Sequence, residues 1–230
     1  SPLLFGADLW DETRIPLFEQ SVEVGDQPQS EHHRVSFGCC YARESLLECF
    51  AENLAHHDVL LPILMDSPSQ RYDHLRLHNG TIWRWIRPLV GFDPDGTPHL
   101  RIEQRVLPAG PTIADMMANA ALFFGLARYL SDLPEAPESI FSFDKARDNF
   151  YAAARDGLLS QLVWLDGSTV DARTLLLEEM IPLARQGLIA LGIDKSDIDL
   201  SLGILQCRIK CGQTGTAWQR AYRDKHRCDG

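Results

Sequence analysis

The sequence lacks an apolar stretch long enough to span a membrane, since its richest one, residues 116–130, is interrupted by Asn119, Gly125 and Arg128. It also lacks, at its start, the basic segment and apolar core of a secretory signal. Positive charge is scarce: 22 Lys and Arg stand against 32 Asp and Glu, for a net charge of −10, which disfavours a broad nucleic-acid surface. These absences predict a cytoplasmic protein that contacts neither membranes nor nucleic acids.

Several catalytic motifs are absent too. Gly212-Gln213-Thr214-Gly215 has no lysine and is not a Walker-type phosphate loop, so we interpret it as a helix cap rather than an anion-binding turn. The six cysteines do not form the two tight pairs of a typical zinc site, which predicts reduced thiols filling small apolar sites. His32-His33 and His56-His57 lack correctly spaced carboxylate or cysteine partners. No nucleophile elbow is present, which disfavours hydrolase chemistry.

Apolar periodicity and capping residues predict a mainly helical chain with a little sheet. Helices are expected over residues 45–61, from Thr112 onward, over 144–159, over 171–191 with a bend at Pro182, from about Ser196 or Asp199, and over 214–225. A short hairpin is expected over residues 163–170 and an exposed loop over 24–31. On the helix after Thr112, large side chains are expected in the core: Met116, Met117, Phe123 and Phe124. We therefore expect an α+β fold, a small antiparallel sheet packed with several helices, as a single domain over residues 1–230.

The most informative segment is residues 77–111. Residues 81–87 are rich in β-branched and aromatic types and predict a strand that ends at Pro88. Turn residues follow at 92–96, and residues 100–107 predict a second strand, antiparallel to the first.

Alternation along the second strand places Arg101, Glu103 and Arg105 on one face. The opposite face is apolar and is expected to pack against the rest of the protein; it carries Leu100, Ile102 and Val106. Arg87 shares a face of the first strand with Trp83 and Trp85. A carboxylate is a hard ligand for Mg²⁺, and arginine forks bind phosphoryl oxygens. The alternative is a solvated charge stripe with marginal ion pairs, which the pattern alone favours. His78 and Asn79 precede the first strand, where they could reach a substrate or serve as surface hydrogen-bonding residues.

The strand residues 102–107, followed by Pro111-Thr112 and a helix, resemble the E-x-R strand of the glutamate–cysteine ligase superfamily. Residues 85–88 resemble the D-I-R-P segment that precedes that strand. Three longer stretches resemble a bacterial branch of these ligases: residues 77–83, 105–112 and 212–219. Two departures stand out, because Trp85 replaces an Asp and Pro108-Ala109-Gly110 replaces an acidic turn.

The resemblance implies a glutamine-synthetase-like fold that binds ATP and Mg²⁺. It implies that Glu103 is a metal ligand, that Arg105 is catalytic and contacts phosphate, and that Arg87 is a further contact for nucleotide or substrate; His78 and Asn79 are candidate substrate contacts. The implied reaction transfers the γ-phosphoryl of ATP to a glutamate-like carboxylate, and an amine such as that of cysteine then attacks the acyl-phosphate, as in glutathione biosynthesis.

The same resemblance places other metal-binding carboxylates in a preceding N-terminal half, so this chain is expected to be the C-terminal portion of a longer ligase and to carry only part of the site. Exposed sheet edges would then favour a homo-oligomer. The alternative is a non-catalytic regulatory or assembly module that keeps the ligase fold.

Overall fold

The computed structural model describes residues 2–4, 7–22 and 32–226. Packing divides the chain into two compact units, Ser1–Ile15 with Pro108–Gly230 and Pro16–Leu107. The single domain expected over residues 1–230 stays a prediction, because two packing units can belong to one domain or to two. The loop predicted over residues 24–31 lies outside the described residues.

The elements confirm the α+β class, with several helices and small antiparallel sheets. Up to residue 107 they are β1 (Leu3–Leu4), β2 (Ala7–Asp8), α1 (Arg14–Ser21), β3 (Val35–Ser36), α2 (Leu47–His56), a 3-10 turn (Ser69–Arg71), α3 (Asp73–Gly80), β4 (Trp83–Arg84), β5 (Ile86–Phe92) and β6 (Pro98–Gln104). After it they are α4 (Ile113–Ser131), α5 (Pro137–Ile140), α6 (Phe143–Asp156), a 3-10 turn (Gly157–Leu159), β7 (Gln161–Val163), β8 (Thr169–Asp171), α7 (Ala172–Thr174), a π-helical segment (Leu175–Met180), α8 (Ile181–Ala190), α9 (Lys195–Cys211) and α10 (Gly215–Lys225). The pairs β1–β2, β5–β6 and β7–β8 are antiparallel, and β3–β4 is parallel.

The strand expected to end at Pro88 instead runs through it. Residues 83–84 pair with β3, and β5 continues to Phe92, with Pro88 opposite Ile102 of β6. Proline has no N–H to donate, so it is tolerated in a strand only where that position faces away from the partner strand. The carbonyl of Pro88 accepts a hydrogen bond from Asn79 at 3.0 Å rather than from β6, consistent with that orientation. The predicted end of the strand was therefore wrong, whereas the antiparallel pairing was confirmed.

Three predicted helix caps are confirmed by their hydrogen bonds. Thr112 accepts from the backbone N–H of Asp115 at 3.1 Å, Asp171 from that of Thr174 at 3.0 Å, and Thr214 from that of Ala217 at 3.0 Å. The cap proposed at Ser196 was wrong, since α9 begins at Lys195 after Asp194. The helix predicted over residues 45–61 ends early, at His56, and α3 was missed.

The bend predicted at Pro182 takes the form of a π-helical segment just before it. Proline removes one helical N–H and crowds the carbonyl four residues earlier, which here is that of Glu178. Widening the helix over Leu175–Met180 is one way to relieve that crowding.

The core of the larger unit lies where α4, α8 and α9 meet. Its buried members are mostly aliphatic: Ala118, Ile181, Ala184, Leu188, Ile198, Leu202, Leu205 and Ile209. Gly125 of α4 and Gly187 of α8 lie against each other's helix, so closely that a Cβ at either would lie under 3.0 Å from backbone atoms. Small residues therefore set the distance between these helices.

This crossing explains why Met116, Met117 and Phe124 are not in the core as expected, whereas Phe123 is partly buried. Met117 and Phe124 are each 59% exposed, because the small-residue face of α4 is the one that contacts α8. They line a cavity of about 570 Å³ with residues of α8, α9 and their connection, including Leu188, Ile193 and Ile204.

In residues 2–4, 7–22 and 32–226, every helix is too short or too polar to cross a lipid bilayer.

Candidate functional site

The β5–β6 hairpin brings together the three charged residues singled out from the sequence. Its register places Arg87 opposite Glu103, and the N–H of Arg105 donates to the carbonyl of Trp85 at 2.9 Å just beyond the paired region. The Glu103 Oε2 atom lies 2.9 Å from Arg87 Nε and 3.4 Å from Arg105 Nε. One carboxylate oxygen is thus shared by two guanidinium groups. We call these three residues the hairpin cluster.

Both guanidinium groups of the hairpin cluster are largely shielded from solvent, with side-chain exposures of 13% for Arg87 and 16% for Arg105. Arg87 Nη1 donates to the carbonyl oxygen of Asn79 at 3.0 Å. The Arg105 Cζ atom lies 3.3 Å from the ring centroid of Trp83, a close cation–π contact. Trp83 and the Asn79 carbonyl therefore fix the two cations in place.

The carboxylate of Glu103 is the more accessible member, with a side-chain exposure of 37%. Both ion pairs of this carboxylate use the Oε2 atom and leave the second oxygen, Oε1, out of the contacts with Arg87 and Arg105. Among the described residues, Glu103 does not belong to any group of three or more possible metal ligands. A metal ion at this carboxylate would therefore take its other ligands elsewhere, as Mg²⁺ commonly does from phosphates and water.

The apolar face of β6 is less covered than predicted. Leu100 is 51% exposed and Ile102 is 58% exposed, although they were expected to pack. On the charged face, Arg105 is the covered residue and lies over Trp83, whereas Arg101 is exposed. In a two-stranded sheet, alternation states which residues share a face but not which face is covered.

His78 and Asn79 lie at the end of α3, and their side chains are buried rather than exposed. His78 Nε2 is 3.0 Å from the carbonyl oxygen of His57. Asn79 Oδ1 accepts from Asn53 at 3.0 Å, and its amide nitrogen donates to the carbonyl of Pro88. Both polar groups thus connect α3 to neighbouring segments, and their role as substrate contacts stays a prediction.

A second polar cluster in the same unit was missed by sequence reasoning. Ligand atoms of His32, Cys39 and Glu52 all lie within 4.8 Å of one another. Sequence spacing did not reveal these neighbours of His32, because β3 and the loop after it bring His32 and Cys39 alongside α2. Arg84 Nη2 donates to Glu52 Oε1 at 3.2 Å and lies 3.3 Å from His57 Nε2.

Two side chains in this region, His57 and Cys39, have pKa values far from their ordinary ones. Burial, reinforced by the nearby charges of Arg84 and Arg34, lowers the pKa of His57 to about 4. Burial and the neighbouring groups Cys40 and Glu52 raise the pKa of the Cys39 thiol to about 12. At neutral pH His57 is uncharged and Cys39 is a protonated thiol.

The cysteines were expected to fill apolar sites; Cys228 lies outside the described residues, and four of the other five do not fill such sites. Cys39, Cys40, Cys207 and Cys211 are exposed, whereas Cys49 is partly buried. A weak signal was available in the sequence, since four histidines, three cysteines and three glutamates lie between residues 32 and 57. The irregular spacing of these residues in the sequence did not reveal the cluster. A loop brings them together, whereas sequence motifs for metal sites depend on regular spacing along a helix or a tight turn.

In the larger unit, two stretches that carry the ligase resemblance line one cavity of about 410 Å³. Gly110 and Pro111 come from the first stretch, and Thr214 and Trp218 come from the second. Arg208 also lines it, and its Nη1 lies 3.5 Å from Asp115 Oδ1. Gly212–Gly215 serves as the expected helix cap, since Gly212 closes α9 with a φ of 64° and Thr214 caps α10.

No protein-family description, curated protein or solved structure matches this chain.

Proposed function

We propose that this chain forms part of the active site of an ATP-dependent carboxylate–amine ligase resembling the glutamate–cysteine ligases. The observation that carries the proposal is the hairpin cluster, in which one accessible carboxylate lies between two shielded guanidinium groups. The proposal includes the glutamine-synthetase-like fold, a cytoplasmic location and small amino-acid substrates.

Each member of the hairpin cluster has a defined task in such a reaction. Glu103 would hold Mg²⁺ through Oε1, the oxygen that is not shared with the arginines. Arg105 and Arg87 would bind phosphoryl oxygens, and Arg105 would also stabilise the charge that develops as the γ-phosphoryl group moves to the acceptor carboxylate. Bound Mg²⁺ supplies charge neutralisation and orientation of the phosphates.

A second candidate is the non-catalytic module. One observation favours it: Arg87, Glu103 and Arg105 already bind one another, as residues in a purely structural network do. In that case the hairpin cluster would stabilise β5 and β6 without binding nucleotide.

Isothermal titration of the chain with ATP, with and without Mg²⁺, separates these functions. The ligase proposal predicts that Mg²⁺ strengthens ATP binding and that Glu103→Gln removes this effect, lowering affinity for Mg²⁺-ATP at least about tenfold. Binding of ATP without metal should persist or strengthen in Glu103→Gln, since the substitution removes a negative charge beside the phosphates.

The matched control is Arg101→Gln, which changes a charge on an exposed residue of the same strand. It should leave the Mg²⁺ effect unchanged. If neither the unaltered chain nor Glu103→Gln binds ATP, and Glu103→Gln only lowers the melting temperature, the structural module is correct and the ligase proposal is wrong.

A further inference from the structure

The cluster of His32, Cys39 and Glu52 is assembled from three separate segments. His32 precedes β3, Cys39 lies in the loop that follows it, and Glu52 lies on α2. All three can present a ligand atom to a common point, since the atoms are within 4.8 Å of one another. This arrangement lies apart from the hairpin cluster in the chain and plays no part in the proposed ligase chemistry.

The distances are close to those of a tetrahedral zinc site. Zinc bonds of about 2.0–2.3 Å place neighbouring ligand atoms roughly 3.3–3.8 Å apart. His32 Nδ1 and Glu52 Oε1 are already 3.8 Å apart. The Cys39 Sγ atom lies within 4.8 Å of both, and Cys39 is exposed and lies in a loop, so it can move the short distance that zinc coordination requires.

Neighbouring side chains orient two of these ligands. The ring of His32 stacks on that of His56, with centroids 3.6 Å apart and planes inclined by 6°. Arg84 Nη2 donates to Glu52 Oε1, the same oxygen that lies 3.8 Å from His32 Nδ1, so this hydrogen bond helps to hold the carboxylate near His32. Such partners fix the direction of a ligand before the metal arrives, as outer-shell groups do in established metal sites.

A fourth donor, Cys40, lies next to Cys39 but outside the group whose ligand atoms are all within 4.8 Å of one another, so its thiolate would have to turn toward the metal on binding. The Sγ atoms of Cys39 and Cys40 are 3.6 Å apart, which matches the separation of two thiolates bound to one zinc ion. The combined donor set of one nitrogen, one oxygen and two sulfurs suits Zn²⁺ and is unsuited to Mg²⁺ or Ca²⁺, which prefer oxygen alone.

We propose that His32, Cys39, Cys40 and Glu52 form a structural Zn²⁺ site. Binding releases the protons of the two thiols to solvent, and four protein ligands leave no position for a substrate. The metal would join the loop after β3 to α2. In residues 32–46 the regular structure consists of the two-residue strand β3 alone, so this region has the most to gain from such a link.

The test uses the whole chain, kept reduced with a phosphine and freed of metal, with Co²⁺ as a spectroscopic probe. One Co²⁺ per chain is expected to produce intense tetrahedral d–d bands and thiolate-to-cobalt charge-transfer bands, and Zn²⁺ should displace it. Cys39→Ser and Cys40→Ser should each remove part of the charge-transfer intensity. His32→Ala should keep that intensity but weaken Zn²⁺ binding about 100-fold or more, since outer-shell changes alone cost 10–100-fold.

The matched control is the double variant Cys207→Ser/Cys211→Ser, which removes two exposed cysteines from α9. It should bind Co²⁺ like the unaltered chain. Circular dichroism verifies that each variant folds, and Zn²⁺ should raise the melting temperature of the control but not that of Cys39→Ser. The proposal is overturned if the chain binds no Co²⁺, if the bands disappear only in the control, or if Cys40→Ser leaves them intact.

Discussion

The contact between α4 and α8 gives the most direct test of how this sequence determines its packing. Gly125 and Gly187 meet at the crossing, and a Cβ built on Gly187 would lie 2.8 Å from the carbonyl carbon of Gly125 and 3.0 Å from the amide nitrogen of Tyr129. Ordinary carbon contacts are about 3.5–4.0 Å long. Gly187→Ala therefore requires the two helices to separate by roughly 1 Å, because the obstructing atoms are backbone.

Two opposing effects decide whether Gly187→Ala stabilises or destabilises the protein. Alanine improves helix propensity over glycine by about 1 kcal/mol. Overpacking a core typically costs about 1–3 kcal/mol, and here separation of the helices would also loosen Ala118, Ala184 and Leu188 in the core between them. We expect the steric cost to win, with a net loss of about 1–2 kcal/mol in the free energy of unfolding.

Gly203 on α9 supplies the matched control. It is also a helical glycine, but a Cβ there would have nothing within 4 Å. Gly203→Ala should therefore be neutral or stabilise the protein by up to about 1 kcal/mol. Urea denaturation followed by far-ultraviolet circular dichroism measures both variants. Equal or greater stability of Gly187→Ala relative to the unaltered chain would show that the helices do not approach this closely.

Two further predictions concern the smaller unit. The lowered pKa of His57 means that the unfolded chain binds a proton more readily than the folded one between about pH 4 and 6.5, so stability should fall by about 1–3 kcal/mol as the pH drops through that window. Denaturation at a series of pH values, beside NMR titration of the His57 ring, checks this, and a ring that titrates near its ordinary pKa of about 6.5 would contradict it. Ile102→Thr should change stability by less than about 0.5 kcal/mol, since Ile102 is 58% exposed and threonine suits a strand equally well. A loss above about 1.5 kcal/mol in chemical denaturation would mean that this side chain is covered.

Local signals account for the parts of the fold that were predicted correctly. A cap depends on a residue and its N–H three positions later, so Thr112, Asp171 and Thr214 could be recognised without knowing the tertiary structure. The same holds for the β7–β8 hairpin, where Gly167 adopts a φ of 81° at the turn.

The errors arise where distant segments decide the outcome. Alternation grouped Glu103 with Arg105 correctly, but Arg105 is covered because it lies over Trp83. Likewise, nothing in the spacing of His32, Cys39 and Glu52 reveals that a loop returns to α2. Burial of His78 and Asn79 depends on partners up to 26 residues away.

The charge balance of the hairpin cluster is what makes an anionic ligand physically reasonable. Arg87 and Arg105 contribute two positive charges and Glu103 contributes one negative charge, so this group carries a net charge of +1 while both guanidinium groups are mostly shielded. Shielding an excess cation is unfavourable unless dipoles or an anion compensate it. The carbonyl of Asn79 and the ring of Trp83 supply partial compensation. A phosphoryl group would add further compensation, and since this attraction depends on the positive charge of the arginines, replacing either arginine should weaken binding of metal-free ATP more than replacing Glu103.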